Sequence, residues 1–229
     1  SRQANKHTHI YHDIHDLIQL FCSRFSKKDV LDQEKIKFLD FGCGWGSWCA
    51  IAKSFKFLDV LGFDINQFKL DTVRSRYHVN VTSDLTQLKK LAPFDIIVCN
   101  DVIEHVSDPK SILDLLSELS GPNTVLYIAV PQFSSGELKE SAQKMRQGKS
   151  LKLFHPGHIN YFLDKEFEKL MGSRGLMPIN NQNLYLTLQT KNPGFLKSQF
   201  KTDIKNFIKF FYFFLKSKKY NYFWVRKSP

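Results

Sequence analysis

Four short clusters in this chain have residue types and spacings suited to chemistry. The first is Phe38-Leu39-Asp40-Phe41-Gly42-Cys43-Gly44-Trp45-Gly46, an apolar run closed by an acid and followed by alternate glycines. A strand that turns sharply into a helix beneath a ligand needs positive φ and no Cβ where ligand and backbone meet. The helix that follows offers free N–H groups and partial positive charge to an anionic group. The second cluster is Asp64, eighteen positions after Gly46, followed by Ile65. An acid at such a strand end can accept both hydroxyl hydrogens of a ribose. The third is Asn100-Asp101-Val102-Ile103-Glu104-His105, and the fourth is His155-Pro156-Gly157-His158-Ile159-Asn160-Tyr161. Imidazoles and carboxylates are the groups that take a proton from a hydroxyl near neutral pH.

Each cluster also has a plain structural use. Glycine turns occur in unrelated α/β proteins, and Asp64 could simply close its strand. Asp84, followed by Leu85-Thr86-Gln87, has the form of a helix N-cap. Glu104 and His105 could cap or bury the start of the next helix, and a lone histidine is more often structural than catalytic. The turn also departs from the dinucleotide fingerprint G-x-G-x-x-G/A, because its third glycine comes one residue early and Ser47 stands sixth.

The elements that must hold these clusters follow from hydrophobic pattern. Apolar residues at Ile10, Ile14, Leu17, Ile18, Phe21 and Phe25 keep a helical period. Strands are expected at 36–40, 59–63, 79–82, 94–99 and 124–130, with helices between. The fourth is nearly all apolar, as in a strand buried on both faces. Asp108-Pro109 predicts an N-cap with proline at the first helical position. Strand–helix alternation with short links predicts a parallel, doubly wound sheet. The stretch 132–163 interrupts it as a lid or insertion. A helix at about 164–174 and two runs at 177–181 and 184–190, close enough to pair antiparallel, follow. The expected division is therefore a helical cap at 1–35, a main domain at 36–191 and a tail at 192–229.

The chain has 229 residues and a net charge of +11, of which +8 falls in 192–229 and +3 elsewhere. The basic character belongs to the tail, which argues against a nucleic-acid surface spread over the fold. Four cysteines at 22, 43, 49 and 99 form no C-x-x-C pair and no zinc spacing. They suit reduced thiols in a cytoplasmic protein. A secretory leader is not expected, and no apolar run nears the ~20 residues of a membrane helix.

The frame Asp40-x-Gly42-x-Gly44-x-Gly46 resembles the first motif of class I S-adenosylmethionine (SAM) dependent methyltransferases. Phe94-Asp95-Ile96-Ile97-Val98-Cys99-Asn100-Asp101-Val102-Ile103-Glu104-His105-Val106-Ser107-Asp108-Pro109 resembles the fourth motif of ubiquinone-type and related small-molecule members. The likeness covers about residues 36–131. It implies an α/β Rossmann-like sheet of seven strands, mostly parallel, with an antiparallel last strand. It implies SAM as cofactor and S-adenosylhomocysteine (SAH) as product. It places Asp40 with Gly42, Gly44 and Gly46 at the methionine end, Asp64 with Ile65 at the ribose, Asp84 with Leu85 at the adenine, and Asn100 beside them. The chain lacks the Asn/Asp-Pro-Pro-Tyr of enzymes that methylate adenine or glutamine amino groups. It also lacks the Pro-Cys nucleophile of cytosine C5 enzymes.

In ubiquinone-pathway O-methyltransferases the residues matching Asp101, Glu104 and His105 can bind a divalent cation. Asp101 stands where those enzymes commonly have Glu, and a metal is not favoured. The segment from His155 to Phe162 resembles the His-x-Asn-x-Phe stretch of a group that includes sugar and polysaccharide-modifying enzymes. It makes His155, His158 and Tyr161, with His105, the candidates for general base or acceptor positioning. The expected reaction is methyl transfer to a hydroxyl of a small-molecule or glycan acceptor, with a quinone-like phenol as second choice. A non-catalytic SAM-binding protein acting through its tail is the alternative from another class. In the tail, Phe200, Ile204, Phe207, Ile208, Phe211 and Leu215 share a helical face beside a lysine stripe. The helix expected there would dock on the domain, form a homodimer, or lie at the inner face of an anionic membrane. Nucleic acid is the least favoured partner.

Overall fold

The structure is a computed structural model that describes residues 10–18, 20–21, 35–56, 58–148, 157–179 and 222–226. Five parallel strands form its centre: β1 (Ile36–Phe41), β2 (Leu58–Phe63), β3 (Asn80–Thr82), β4 (Phe94–Asn100) and β5 (Ser120–Ala129). Their spatial order is β3-β2-β1-β4-β5, all in parallel register. The helices are α1 (10–18 and 20–21), α2 (Ser47–Ala52), α3 (Gln67–Tyr77), α4 (Leu85–Leu91), α5 (Pro109–Glu118), α6 (Ser135–Arg146) and α7 (Asp164–Gly172).

Side chains alternate across a strand, so a sheet covered on both faces needs apolar residues at successive positions. That is how β1, β4 and β5 are built. Phe38, Ile96, Val98, Val125 and Tyr127 pack on one face with Ile14 and Leu17 of α1, Trp48 of α2 and Leu70 of α3. Leu39, Ile97, Cys99, Leu126 and Ile128 pack on the other with Leu88 of α4, Leu113 and Leu116 of α5 and Phe167 of α7. Helix starts follow the expected chemistry. Asp108 Oδ1 accepts the N–H groups of Lys110 and Ser111 at 3.0 and 3.2 Å, with Pro109 in the first turn of α5.

Beyond β5 lie β9 (Tyr222–Arg226) and, outside it, β8 (Leu176–Ile179). β9 runs antiparallel to both neighbours. The expected strand at 184–190 lies outside the described residues. The reversed strand is instead Tyr222–Arg226, from the stretch assigned to a helical tail, so that assignment is corrected for 222–226. The aromatic run around it is apolar at nearly every position and carries no period to separate strand from helix. Packing decides the matter: Trp224 is fully buried and meets Phe167 edge-on, with ring centroids 6.0 Å apart. The remainder of 192–221 lies outside the described residues.

The stretch 132–163 is bounded by a parallel pair, β6 (Gln132–Phe133) and β7 (Phe162–Leu163), with α6 between them. Among the described residues, no helix is long and apolar enough to cross a membrane.

Trp224→Ala should destabilise the protein by about 3–5 kcal/mol, the usual cost of removing a large buried aromatic. Denaturant unfolding reads this directly. A loss below about 1 kcal/mol would mean that β9 does not seal this face.

Candidate functional site

β1 lies between β2 and β4, so the chain builds the sheet one way from β1 to β3 and then crosses to build it the other way. A crevice opens at such a switch point, at the carboxyl ends of the strands. The turn after β1, Asp64 after β2, Asp84 after β3 and Asn100 with Asp101 at the end of β4 all reach this edge.

The glycine turn is fixed by backbone hydrogen bonds. Gly42 and Cys43 donate their N–H groups to the Phe63 carbonyl at 2.7 and 2.9 Å. Gly44 N–H donates to Asp64 Oδ2 at 2.8 Å, while Asn66 N–H donates to Asp64 Oδ1 at 2.8 Å. Each carboxylate oxygen has two lone pairs, so both oxygens keep capacity for a further donor such as a ribose hydroxyl. Gly42, Gly44 and Gly46 all have positive φ. At Gly46 a Cβ would sit 2.7 Å from Val73 Cγ2, so this glycine lets the turn lie against α3. At Gly44 a Cβ would meet nothing nearer than 3.9 Å. That side of the turn is open.

Asp40 is buried, and its Oδ2 accepts from the N–H and the thiol of Cys49, both at 3.2 Å. It therefore anchors the first turn of α2. Burial pushes its carboxyl up to about 7, against the lowering effect of the Cys49 hydrogen bonds. Asp84 takes the capping role: its Oδ1 accepts Thr86 N–H at 2.7 Å at the start of α4. Ile65, Leu85, Trp45 and Phe68 are exposed along the same edge, with the Trp45 and Phe68 rings meeting edge-on at 6.1 Å. Asn100 Nδ2 donates to Asp101 Oδ2 at 2.9 Å. Asp101 has φ +54° and donates its N–H to the Ala129 carbonyl, so the chain leaves β4 on a left-handed residue.

The third and fourth clusters meet here. His105 and His158 lie edge to face, with ring centroids 4.8 Å apart, and Tyr161 lies 6.5 Å from His158. His105 Nδ1 is 2.6 Å from the Gly157 carbonyl, which can only accept. Nδ1 therefore carries the proton, and in neutral His105 the lone pair is on Nε2. The Glu104 carbonyl accepts the N–H groups of Ile159 and Asn160 at 2.9 and 3.0 Å. Asn160 Nδ2 reaches back to the carbonyls of Val106 and Ile103 at 2.6 and 3.4 Å.

Glu104 is 1% exposed, and among the described residues neither of its carboxylate oxygens has a hydrogen-bond partner. It does not cap the next helix, because Asp108 does. Burial, helped by the Asp101 charge, pushes the Glu104 carboxyl up to about 7 against the lowering effects of its own backbone N–H and of His105. Among the described residues, Glu104, His105 and His158 each bring one ligand-type atom within 4.8 Å of the others, while Asp101 stands outside that group. His155 lies outside the described residues.

A methyltransferase-domain family model matches residues 8–180, well over half of the 229-residue chain. The chain belongs to this family. A ubiquinone biosynthesis O-methyltransferase from Actinobacillus pleuropneumoniae is 32% identical over 106 residues, covering 41% of this chain and 44% of the relative. Its counterpart from Colwellia psychrerythraea is 25% identical over 101 residues, 41% of each. The chain thus spans less than half the length of these curated relatives. Among solved structures, the plantazolicin methyltransferase BamL, in complex with a triazolic desmethylPZN analog and SAH, matches with a TM-score of 0.61 at 13% identity. That match covers 96% of this chain and 85% of BamL. PKMT2 from Rickettsia typhi, in complex with AdoHcy, gives a TM-score of 0.58 at 17% identity, with coverage of 93% and 53%. These likenesses establish the fold, the class I methyltransferase α/β architecture with a parallel central sheet.

Sequence reasoning gave this methyltransferase-family domain its glycine turn and Asp64. It missed that the Glu104 side chain is sealed without a hydrogen bond. It also missed Asp13 of α1, whose carboxyl burial pushes up to about 7 although it is hydrogen-bonded to Tyr127. Only the helical phase of Asp13, one residue from the buried Ile14, hinted at this.

The raised carboxyl at Asp40 sets a pH dependence. Its folded-state value, about 7, lies above the ordinary aspartate value of 3.8, so folding favours the protonated form. Stability from this source is fully present below about pH 4 and is lost as pH rises through about 7. Asp40→Asn should therefore lose less of its melting temperature between about pH 5 and pH 8 than the wild type does. Parallel melting curves would contradict this account of Asp40.

Proposed function

We propose that the protein transfers a methyl group from SAM to a hydroxyl of a small-molecule or glycan acceptor. What carries this reading is one juxtaposition. A glycine turn locked to Asp64 and open at Gly44 shares a strand edge with the paired imidazoles of His105 and His158. The donor set suits SAM: Asp64 has free acceptor capacity for ribose hydroxyls, and the exposed Ile65 and Leu85 can meet the faces of an adenine. When bound, SAM supplies a methyl group activated for in-line displacement. The chain's own task is to align the acceptor, which can be worth several kcal/mol, and to receive its proton. In this reading His105, His158 and Tyr161 are the described base and positioning candidates.

A sugar or surface-polysaccharide acceptor is favoured by the His158-Ile159-Asn160-Tyr161-Phe162 resemblance. A quinone-like phenol is the second reading, supported by the ubiquinone O-methyltransferase relatives. A cytoplasmic setting agrees with the free thiols of Cys43, Cys49 and Cys99. The basic stretch 192–221 is proposed to dock on this domain or a second copy, or to touch an anionic membrane surface.

Purified protein should be incubated with SAM and a panel of nucleotide sugars, oligosaccharides and catechols, with and without a chelator. Mass spectrometry should find a methylated hydroxyl product and released SAH. His158→Ala should slow turnover by roughly 100-fold, the scale of a lost general base. SAM binding without turnover on any acceptor would instead favour the non-catalytic protein. Full activity in both His105→Ala and His158→Ala would remove them as bases.

A further inference from the structure

A carboxylate taken out of water without a hydrogen bond is costly, and folds seldom keep one without a use. Glu104 is such a group: 1% exposed, with no hydrogen-bond partner for either oxygen among the described residues. Among the described residues it faces the imidazole of His158, whose Nε2 lies 4.0 Å from Glu104 Oε1. That approach is held by bonds on every side of it. Ile159 and Asn160 donate to the backbone carbonyl of Glu104 itself, Asn160 ties down Val106 and Ile103, and His105 holds Gly157. The imidazole of a residue 54 positions away is thus brought to one buried carboxylate by contacts that do not involve either side chain.

We propose that Glu104 is the positioning residue for His158. Its carboxylate orients the imidazole and balances the positive charge the ring acquires when it takes the acceptor's proton. This rests on the methyl-transfer reading above and deepens it. The bookkeeping is simple. The acceptor O–H bond breaks and its electron pair forms the new O–CH₃ bond. The methyl–sulfur bond breaks, and its pair stays on sulfur. The proton goes to His158 Nδ1, leaving Nε2–H directed at Glu104, and is later released to water. The present 4.0 Å exceeds hydrogen-bond length, so Glu104 and the imidazolium close by about 1 Å as the charge forms. Among the described residues, the other titratable groups near this pair are His105 on the same short turn, Tyr161 from the same segment as His158, Asp101 at the end of β4 and the buried Cys99 thiol of β4.

The test pairs Glu104→Gln, which keeps shape and removes charge, with Glu104→Asp. In cofactor-free protein, nitrogen NMR of the imidazoles reads the pKa and tautomer of His158 without any turnover. Glu104→Gln should lower the His158 pKa by about one unit, while Glu104→Asp retains part of the effect. Melting temperature should not fall, because a neutral amide replaces a poorly solvated acid. With a methylated acceptor in hand, Glu104→Gln should lower kcat at least about tenfold and leave the KM for SAM unchanged. An unchanged His158 pKa in Glu104→Gln overturns the proposal, whether or not an acceptor is found. Loss of activity on chelation, restored by a divalent ion, overturns it in favour of a metal held by Glu104, His105 and His158.

Discussion

Asp64 ties the glycine turn to the start of α3, beside the backbone bonds by which Gly42 and Cys43 hold the Phe63 carbonyl. One oxygen receives Gly44 N–H from the turn after β1, and the other receives Asn66 N–H at the start of α3. Because hydrogen bonds to an ionised acceptor are about twice as strong as neutral ones, this single side chain can set the turn. The rest of the edge depends on it. Gly46 can approach Val73 only if the turn is folded this way, and α2 begins where Asp40 receives the Cys49 N–H. The same carboxylate that builds the crevice keeps lone pairs for what enters it. In the proposed reading, scaffold and binding group are one residue.

A second clamp closes the opposite wall of the crevice. There the short turn at Ile103–His105 and the segment 157–160 hold each other through backbone and Asn160 hydrogen bonds. The insertion from β6 to β7 therefore returns to the sheet at a defined register. Its return brings His158 and Tyr161 to the end of β4, where the proposed reaction would bring an acceptor to a methyl donor on the glycine turn. This wall has a different electrostatic character from the other. Asp64 is satisfied by N–H donors, whereas among the described residues neither Glu104 oxygen has a partner within hydrogen-bond geometry, and burial raises its carboxyl to about 7. One wall is built to be rigid, the other to respond to charge.

Much of this was legible in the residues because the signals were local. Five bounded apolar runs gave β1 to β5, and three glycines with two acids marked the crevice. Asp108-Pro109 marked the start of α5. Orientation was less legible than position. Asp40 was expected to organise the methionine end of a cofactor, yet its described hydrogen bonds go to Cys49. Asp84 caps the start of α4, the structural use its spacing had offered beside an adenine contact. The meeting of Glu104 with His158 could not be read at all, since it depends on how an insertion folds back across 54 positions. β9 escaped for another reason. A run apolar at almost every position has no period, and pairing with β5 and β8, with Trp224 packed on Phe167, is what makes 222–226 a strand.

The most direct measurement is calorimetric titration of the purified protein with SAH, alongside Asp64→Ala. The account predicts one site per chain for the wild type and affinity at least about 100-fold weaker in the variant, as two hydroxyl-to-carboxylate bonds are lost. Equal affinity in the two proteins, or no heat of binding from a folded wild type, would contradict it.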